Sequence, residues 1–207
     1  MADGAREDIH QRFAEFVAQE QVAARYLRHE RTTLKERQRT QATAQGGTLL
    51  SMPQSAVEKE AAAAAVTSAA EAVFQMDCYL ELAEEMFTAD TTFSVQNRVD
   101  ERVWNVGFYA SIEILRRLLS MKSRNHSDPT QRAPRHRLAV LLDRASGFFL
   151  WLVEHVRAQG NINIDRLGAQ LISVEDQSAT SAPDERTQQY AACLQRCFIY
   201  LGDLARY

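Results

Sequence analysis

The chain has 207 residues, of which 45% are hydrophobic and 25% are charged, and its formal net charge at pH 7 is −3. This balance is ordinary for a soluble globular protein, and it excludes a strongly basic surface that would by itself indicate nucleic-acid binding. No apolar run approaches the ~20 residues of a membrane span. The length is sufficient for one substantial core without metals or disulfides.

The polar first quarter of the chain is predicted to form a helix followed by a linker. Over residues 6–44 the apolar side chains follow helical spacing only in part, and they include Ile9, Phe13, Phe16 and Leu27. Two glycines and a proline then interrupt the chain in AQGGTLLSMPQS, residues 44–55. We assign residues 1–55 to a polar helical extension and linker, and residues 56–207 to the main helical domain.

A basic stretch lies inside this extension. Residues 25–39 contain six Lys or Arg side chains against two Glu, and such a patch can contact the phosphate backbone of RNA. Tyr26 is its only aromatic residue, so base stacking has little support. The pattern leaves both a solvated polar helix and an RNA-binding patch open.

The alanine-rich segment 56–90 favours one long helix, because alanine has the highest helix propensity. Apolar residues recur at spacings of three and four along its second half and predict one buried face. They are Val73, Met76, Leu80, Ala83 and Phe87.

The next helix is predicted to begin after Asn97, a favourable N-cap residue. Asp100 and Glu101 would lie in its first turn, where the helix dipole favours anions. Its predicted core face comprises Trp104, Phe108, Ile112, Leu115 and Leu119. The composition of residues 122–134 predicts a loop.

The helix after that loop has the most regular pattern of the chain. Pro134 suits its first turn, and Gly160 is predicted to end it. Its predicted core face comprises Leu138, Leu142, Ala145, Phe149, Leu152 and Val156, and a second apolar side comprises Leu141, Phe148 and Trp151. Burial over much of its circumference is therefore expected. Residues 160–182 show no sustained period and predict a long loop.

The last helix is predicted to start at the sequence Pro-Asp-Glu, residues 183–185. Its core face is predicted to comprise Leu194, Cys197, Phe198, Leu201 and Leu204. Gly202 would let another helix approach closely. No segment has the pattern of a strand, so the sequence predicts an all-α fold, an antiparallel helical bundle.

Three cysteines, Cys78, Cys193 and Cys197, are an odd number, and no signal peptide is predicted. No pair of His or Cys residues lies near them at zinc spacing, so we expect buried thiols in a reducing compartment. The sequence therefore predicts no metal site and no cofactor. The acidic residues are scattered over helix surfaces and form no nuclease-like cluster, so the chain is predicted not to be an enzyme by itself.

Asp203 and Arg206 stand one helical turn apart near the end of the last helix. An exposed pair at this spacing contributes only a few tenths of a kcal/mol, roughly 0.2–0.5. Beside a groove, the same acid would instead hold Arg206 in one rotamer for an external anion. The residues alone leave both interpretations open.

A resemblance to known proteins helps to choose between these two roles of Arg206. LGDLARY, residues 201–207, resembles the Gly-Asp-x-x-Arg-Tyr segment of 14-3-3 proteins, whose Arg-Tyr pair holds phosphate. The longer segment 196–207, together with residues 89–109 and 141–156, is similar, in the same order, to motifs of the telomerase-associated and nonsense-mediated mRNA decay family. The resemblance covers about residues 73–207, and it points to the branch with a C-terminal PIN endonuclease.

The resemblance implies the N-terminal part of a 14-3-3-like, tetratricopeptide-like helical domain. Family members continue beyond the position of Tyr207, so we expect a domain that is incomplete at its C-terminus, in a fragment or a short isoform. The implied function is a phosphopeptide-binding adaptor in the cytoplasm, and also the nucleus. The implied partners are the phosphorylated RNA helicase of the decay pathway, a homologous decay factor as a heterodimer, and RNA or telomerase.

The resemblance also implies the binding residues. Arg206 and Tyr207 match the phosphate-binding pair, with Asp203 in support. Tyr109 occupies the position of a basic contact that is lysine in one branch, and Arg116 lies two helical turns further on. Because Tyr109 replaces a cation, weaker or altered phosphopeptide binding is expected.

An alternative interpretation is a helical scaffold or heterodimerisation module without a working phosphate pocket. The tyrosine at position 109, the long alanine-rich helix and the missing continuation after Tyr207 favour it. The two interpretations are compatible, since the family pairs through such domains.

Overall fold

The computed structural model describes residues 2–44, 76–121, 132–164 and 184–207, and these are helical with short connections. A long helix α1 comes first, followed by α2 and the short α3; α4 then runs through a π-helical segment into α5, and α6 and α7 complete the order. Their bounds are α1 Ala2–Ala44, α2 76–89, α3 Thr91–Gln96, α4 Val99–Arg102, the π segment Val103–Tyr109, α5 Ala110–Met121, α6 Arg132–Gly160 and α7 Glu185–Leu204. The described ranges contain no strand, so the all-α prediction is confirmed. None of their helices is long and apolar enough to cross a membrane.

Helices α6 and α7 form an antiparallel hairpin. The ring centroids of Phe149 and Tyr200 lie 5.1 Å apart near one end of it. At the other end, α6 stops at Gly160, as predicted, and passes close to Tyr190. A Cβ atom on Gly160 would come within 2.6 Å of the Tyr190 ring. The close approach of the two helices therefore depends on the missing side chain at this position.

Helix α1 packs into the same core as the helices that follow it. Ile9 and Phe16 belong to the buried cluster, and the Phe16 ring stacks on Tyr79 of α2 at 4.8 Å. Glu20 accepts a 2.7 Å hydrogen bond from Arg102 at the end of α4. The division of the chain at residue 55 stays a prediction, but α1 shares a core with the domain assigned to the other side of it.

Short α3 is tied to the hairpin by polar side chains. The Thr91 hydroxyl lies 2.9 Å from Nε2 of His155 on α6, and the Thr92 hydroxyl lies 2.9 Å from that of Tyr190 on α7. Asp90 caps α3 by accepting a 2.9 Å hydrogen bond from the backbone N–H of Phe93. These contacts close one end of the bundle.

The N-cap residue predicted for the next helix is wrong. Asn97 ends α3, where its side-chain amide donates to the carbonyl of Phe93. The N-cap of α4 is Arg98, in a left-handed conformation with φ 52°. Of the predicted core residues, Trp104, Phe108, Ile112 and Leu115 are nevertheless buried, whereas Leu119 is only partly buried.

The orientation of α7 also differs from the prediction. Its buried side chains are Tyr190, Cys193, Leu194, Cys197, Tyr200 and Leu204. Phe198, predicted to be in the core, is 45% exposed. A Cβ atom on Gly202 would meet nothing within 4 Å, so Gly202 makes no close helix contact among the described residues. The prediction for Phe198 is wrong because the core face of α7 is centred on Cys197, and Phe198 is turned about 100° from it. A close helix approach at Gly202 stays a prediction.

The buried thiols of Cys193 and Cys197 agree with the prediction, while Cys78 is only partly buried. A hydrogen bond with Cys197, together with burial, raises the pKa of the Cys193 thiol. Both features favour the protonated form of this side chain. The first part of the predicted helix 56–90, up to residue 75 and including Val73, lies outside the described residues, as do most of the predicted loops at 122–134 and 160–182.

Candidate functional site

The end of α7 and the middle of α5 meet through Arg116 and Tyr207. The guanidinium carbon of Arg116 lies 4.6 Å from the centroid of the Tyr207 ring, which is a cation–π distance. Backbone hydrogen bonds from Arg206 to the carbonyl of Asp203 and from Tyr207 to that of Leu204 hold the last residues in a turn. The Arg206–Tyr207 pair is thereby placed beside α5.

Arg206 is open to solvent. Its side chain is 75% exposed, and its guanidinium donates to the carboxylate of Asp203, so the predicted i,i+3 pair is formed. An exposed arginine with one internal partner has donors left for an external anion. This geometry is compatible with either of the two interpretations of the pair.

Tyr109 ends the π segment and is exposed. Its ring centroid lies 6.0 Å from that of Trp104, which stacks on Tyr200 of α7 at 4.7 Å and 12°. The Trp104 ring also meets the edge of Phe149 on α6. This aromatic cluster joins the π segment to α6 and α7, and therefore sets where Tyr109 stands relative to the end of α7.

The π segment itself had not been predicted. Each π turn holds more residues than an α turn, so α5 is rotated relative to a continuous α-helix through α4, and such segments occur frequently at functional sites. Tyr109 stands at its end and Arg116 lies seven residues further along α5. The regular apolar spacing of residues 104–119 gave no sign of it.

Glu113 contacts two arginines on α5. Its Oε1 accepts a 3.2 Å hydrogen bond from Nη1 of Arg116, and its Oε2 lies 3.8 Å from Nη2 of Arg117. Each carboxylate oxygen thus faces a different guanidinium. Neither Glu113 nor Arg117 was among the predicted site residues, although the spacing of three and four residues is visible in the sequence.

A buried ion pair positions α7 against α4. Asp100 is 0% exposed, and Arg196 donates to its two oxygens at 2.6 and 3.1 Å. Burial by itself lowers the pKa of Arg196, but the hydrogen bonds and charge of Asp100 outweigh it and raise the pKa overall. Burial, and then the charge of Asp100, raise the pKa of the neighbouring Tyr200. Asp100 lies in the first turn of α4, as predicted, and the charge of Arg196 balances its own.

The basic stretch at residues 25–39 is partly engaged in packing. Leu34 is buried, and Tyr26, Leu27 and Glu30 line a cavity of about 280 Å³ between α1, α5 and α6. Arg25, Arg28, Arg31 and Lys35 are exposed. An RNA contact by this stretch stays a prediction.

In the described part of the chain, no three His, Cys, Asp or Glu side chains converge as a metal site would require. The candidate residues are instead arginines, carboxylates and exposed tyrosines, among which Arg116 and Tyr207 join α5 to the end of α7. Guanidinium groups bind the oxygens of an anion through charge-assisted hydrogen bonds, and a phosphoryl group offers three such oxygens. This combination of side chains can hold an anion.

Comparison with known proteins agrees with the motifs. A family model described as telomerase activating protein Est1 matches residues 98–207 of this chain. The nonsense-mediated mRNA decay factor SMG7 of Danio rerio is 26% identical over 133 residues, which are 61% of this chain and 11% of the relative. The chain spans about a tenth of that relative's length. All the predicted site residues lie within 98–207, and α1 lies outside it.

Proposed function

Since the chain belongs to the family of the telomerase activating protein Est1, we propose that it is a phosphopeptide-binding adaptor domain in nonsense-mediated mRNA decay and telomerase association. The observation that carries the proposal is the contact of Arg116 with Tyr207, next to the exposed Arg206. The contact brings the guanidinium of Arg116, which is on α5, to the last residue after α7.

Clustered arginines recognise phosphate for a plain physical reason. A phosphorylated serine carries about −1.5 to −2 charges near neutral pH, and hydrogen bonds between charged groups are roughly twice as strong as neutral ones. Tyr109 contributes a neutral hydroxyl where a lysine would contribute a charge. The affinity is therefore expected to be lower than that of a lysine-bearing relative.

The proposed ligand, partners, cellular location and family branch follow from the motif resemblance. The ligand is a phosphorylated segment of the RNA helicase of the decay pathway, and a homologous decay factor pairs with the domain as a heterodimer. RNA or telomerase is a further contact. The protein acts in the cytoplasm and also in the nucleus, and it belongs to the branch with a C-terminal PIN endonuclease.

Binding of the 207-residue chain to peptide libraries tests the proposal. One library of 11-residue peptides has phosphoserine fixed at its centre, and a matched library has serine. We expect the wild-type chain to bind the first about tenfold more tightly, or better, because several charge-assisted contacts depend on the phosphate. Fluorescence anisotropy measures both affinities.

Arg206→Glu should abolish this difference, because it places a negative charge where the phosphate would be bound. Arg157→Glu is the matched control, since Arg157 is also exposed and also paired with an acid three residues away, but on α6. Equal binding of the two libraries by the wild-type chain would contradict the proposal. An unchanged difference in Arg206→Glu would contradict the site.

A second candidate is a scaffold or heterodimerisation module without a working phosphate pocket. Exposed apolar side chains on α6 and α7 favour it, namely Leu150, Phe198 and Ile199. Such residues are frequent where another protein surface docks. This function predicts a partner whose binding does not change on dephosphorylation.

A further inference from the structure

The candidate arginines of the site already hold carboxylates of their own chain. Arg116 and Arg117 share Glu113, and Arg206 holds Asp203. The two guanidiniums and one carboxylate on α5 leave a net charge of +1, and the charges of Arg206 and Asp203 cancel. An incoming anion therefore meets a site whose positive charge is largely neutralised.

The side chain of Glu113 is more enclosed than those of the two arginines that it contacts. Its side chain is 24% exposed, whereas those of Arg116 and Arg117 are 51% and 54% exposed. Its two oxygens face one guanidinium each, which is how two oxygens of a phosphoryl group would bridge the same pair. The carboxylate thus takes the place that a phosphoryl group would need.

We propose that Glu113 is an internal competitor of the phosphopeptide: it occupies Arg116 and Arg117 in the free protein and is displaced when a phosphoryl group binds. This inference rests on the proposed function. Glu113 is tethered to the same helix, so its effective concentration at the arginines is far above that of any ligand. Weak anions are therefore kept off the site.

Arg116 is suited to this exchange because it has a second partner. Its guanidinium lies on the Tyr207 ring at 4.6 Å, independently of Glu113. When the carboxylate turns away, the ring still holds the guanidinium at the end of α7. Arg116 therefore keeps its side-chain conformation when the ligand binds, and little further side-chain entropy is lost.

Two substitutions separate displacement from simple charge repulsion. Glu113→Gln removes the charge, whereas Glu113→Asp keeps the charge but shortens the side chain by one methylene, so that it no longer bridges both guanidiniums. Displacement predicts that both variants bind the phosphoserine library about threefold to fivefold more tightly, because two exposed helix pairs are lost. Repulsion predicts the gain for Glu113→Gln alone.

A third library, with glutamate at the fixed position, gives a second signature. Displacing Glu113 has the same cost for every anion, so the variants should gain affinity for phosphoserine and glutamate peptides by equal factors. Repulsion by a fixed charge would instead act more strongly on the dianion. A larger gain for phosphoserine would therefore overturn the proposal.

Glu101→Gln is the matched control. Glu101 also pairs with an arginine three residues away, at 3.1 Å, but it lies 12 residues earlier, on the other side of the π segment. The Glu101→Gln variant should bind the phosphoserine and the glutamate libraries with the affinities of the wild-type chain. If the wild-type chain prefers phosphoserine and the Glu113 variants bind as it does, only this inference fails. If the wild-type chain shows no preference, the proposed function fails together with it.

Discussion

Asp100 is a carboxylate without any exposed surface, and its charge is balanced by Arg196 from a helix 96 residues further along the chain. Breaking a buried ion pair is costly because one charge is left without a partner in a medium of low dielectric constant. The pair joins α4 to α7, and α7 carries Arg206 and Tyr207 at its end. A single residue far from the candidate site therefore has a large influence on where the site residues stand.

Asp100→Asn is expected to lower the free energy of unfolding by about 3 kcal/mol. Arg196→Met should cost more than this, since Arg196 is partly exposed and can reach water when Asp100 is lost, whereas Asp100 cannot. Urea denaturation measures both values. Glu154→Gln, which breaks an exposed pair with Arg157, should change stability by no more than about 0.5 kcal/mol. Similar values for all three would show that the Asp100 pair is not a buried one in solution.

At the scale of the elements, the rotation of α7 decides which of its side chains support the fold. Leu194 and Cys197 face the core, while Phe198 and Ile199 face outward. Tyr200 stacks on Trp104 of the π segment, so the aromatic contact and the ion pair with Asp100 both fix the same rotation. The guanidinium of Arg206 remains on the open side as a consequence.

Leu194→Ala and Phe198→Ala test this rotation. Leu194 is 1% exposed, so its truncation leaves a cavity and should cost about 3 kcal/mol. Phe198→Ala should cost less, about 1 kcal/mol, because 45% of Phe198 is already exposed and its truncation leaves no closed cavity. Thermal and urea unfolding of both variants check the order. A larger loss for Phe198→Ala would mean that α7 is rotated, or that another surface covers Phe198.

At the scale of the whole molecule, α1 is the element whose place was least evident. Its polar composition predicted an extension, yet Ile9 and Phe16 belong to the common core, and Arg12 pairs with Glu85 of α2. A 43-residue helix with few apolar residues still buries a narrow line of them, because α2, the π segment and α5 lie along it. The bundle therefore depends on a part of the chain outside the range matched by the family model.

Removal of residues 1–44 is expected to expose Tyr79 and its neighbours. The shortened chain should unfold at a lower urea concentration and bind the dye ANS, which reports exposed apolar surface. A peptide of residues 2–44 added in trans should restore part of the stability, since it carries Ile9 and Phe16. If the shortened chain is as stable as the full one, α1 is an independent extension. That result would agree with the predicted division of the chain at residue 55.

The sequence by itself determined the helices and most of their inward faces. Trp104, Phe108 and Ile112, like Phe149 and Leu152, recur at spacings that only a helix places on one side, and this depends on neighbours along the same element. The motif in residues 201–207 likewise indicated which arginine to consider, although the phosphate site itself stays a proposal.

The tertiary structure alone decided what depends on residues far apart in the chain. It placed α7 with Phe198 outward, buried Asp100 against Arg196, brought α1 into the core and laid Arg116 on Tyr207. Periodicity along one helix leaves its exact rotation and its partners open, and the π segment shifts the residues that follow it. These features are set by the packing of whole helices, where the burial of many side chains outweighs the preference of any one of them.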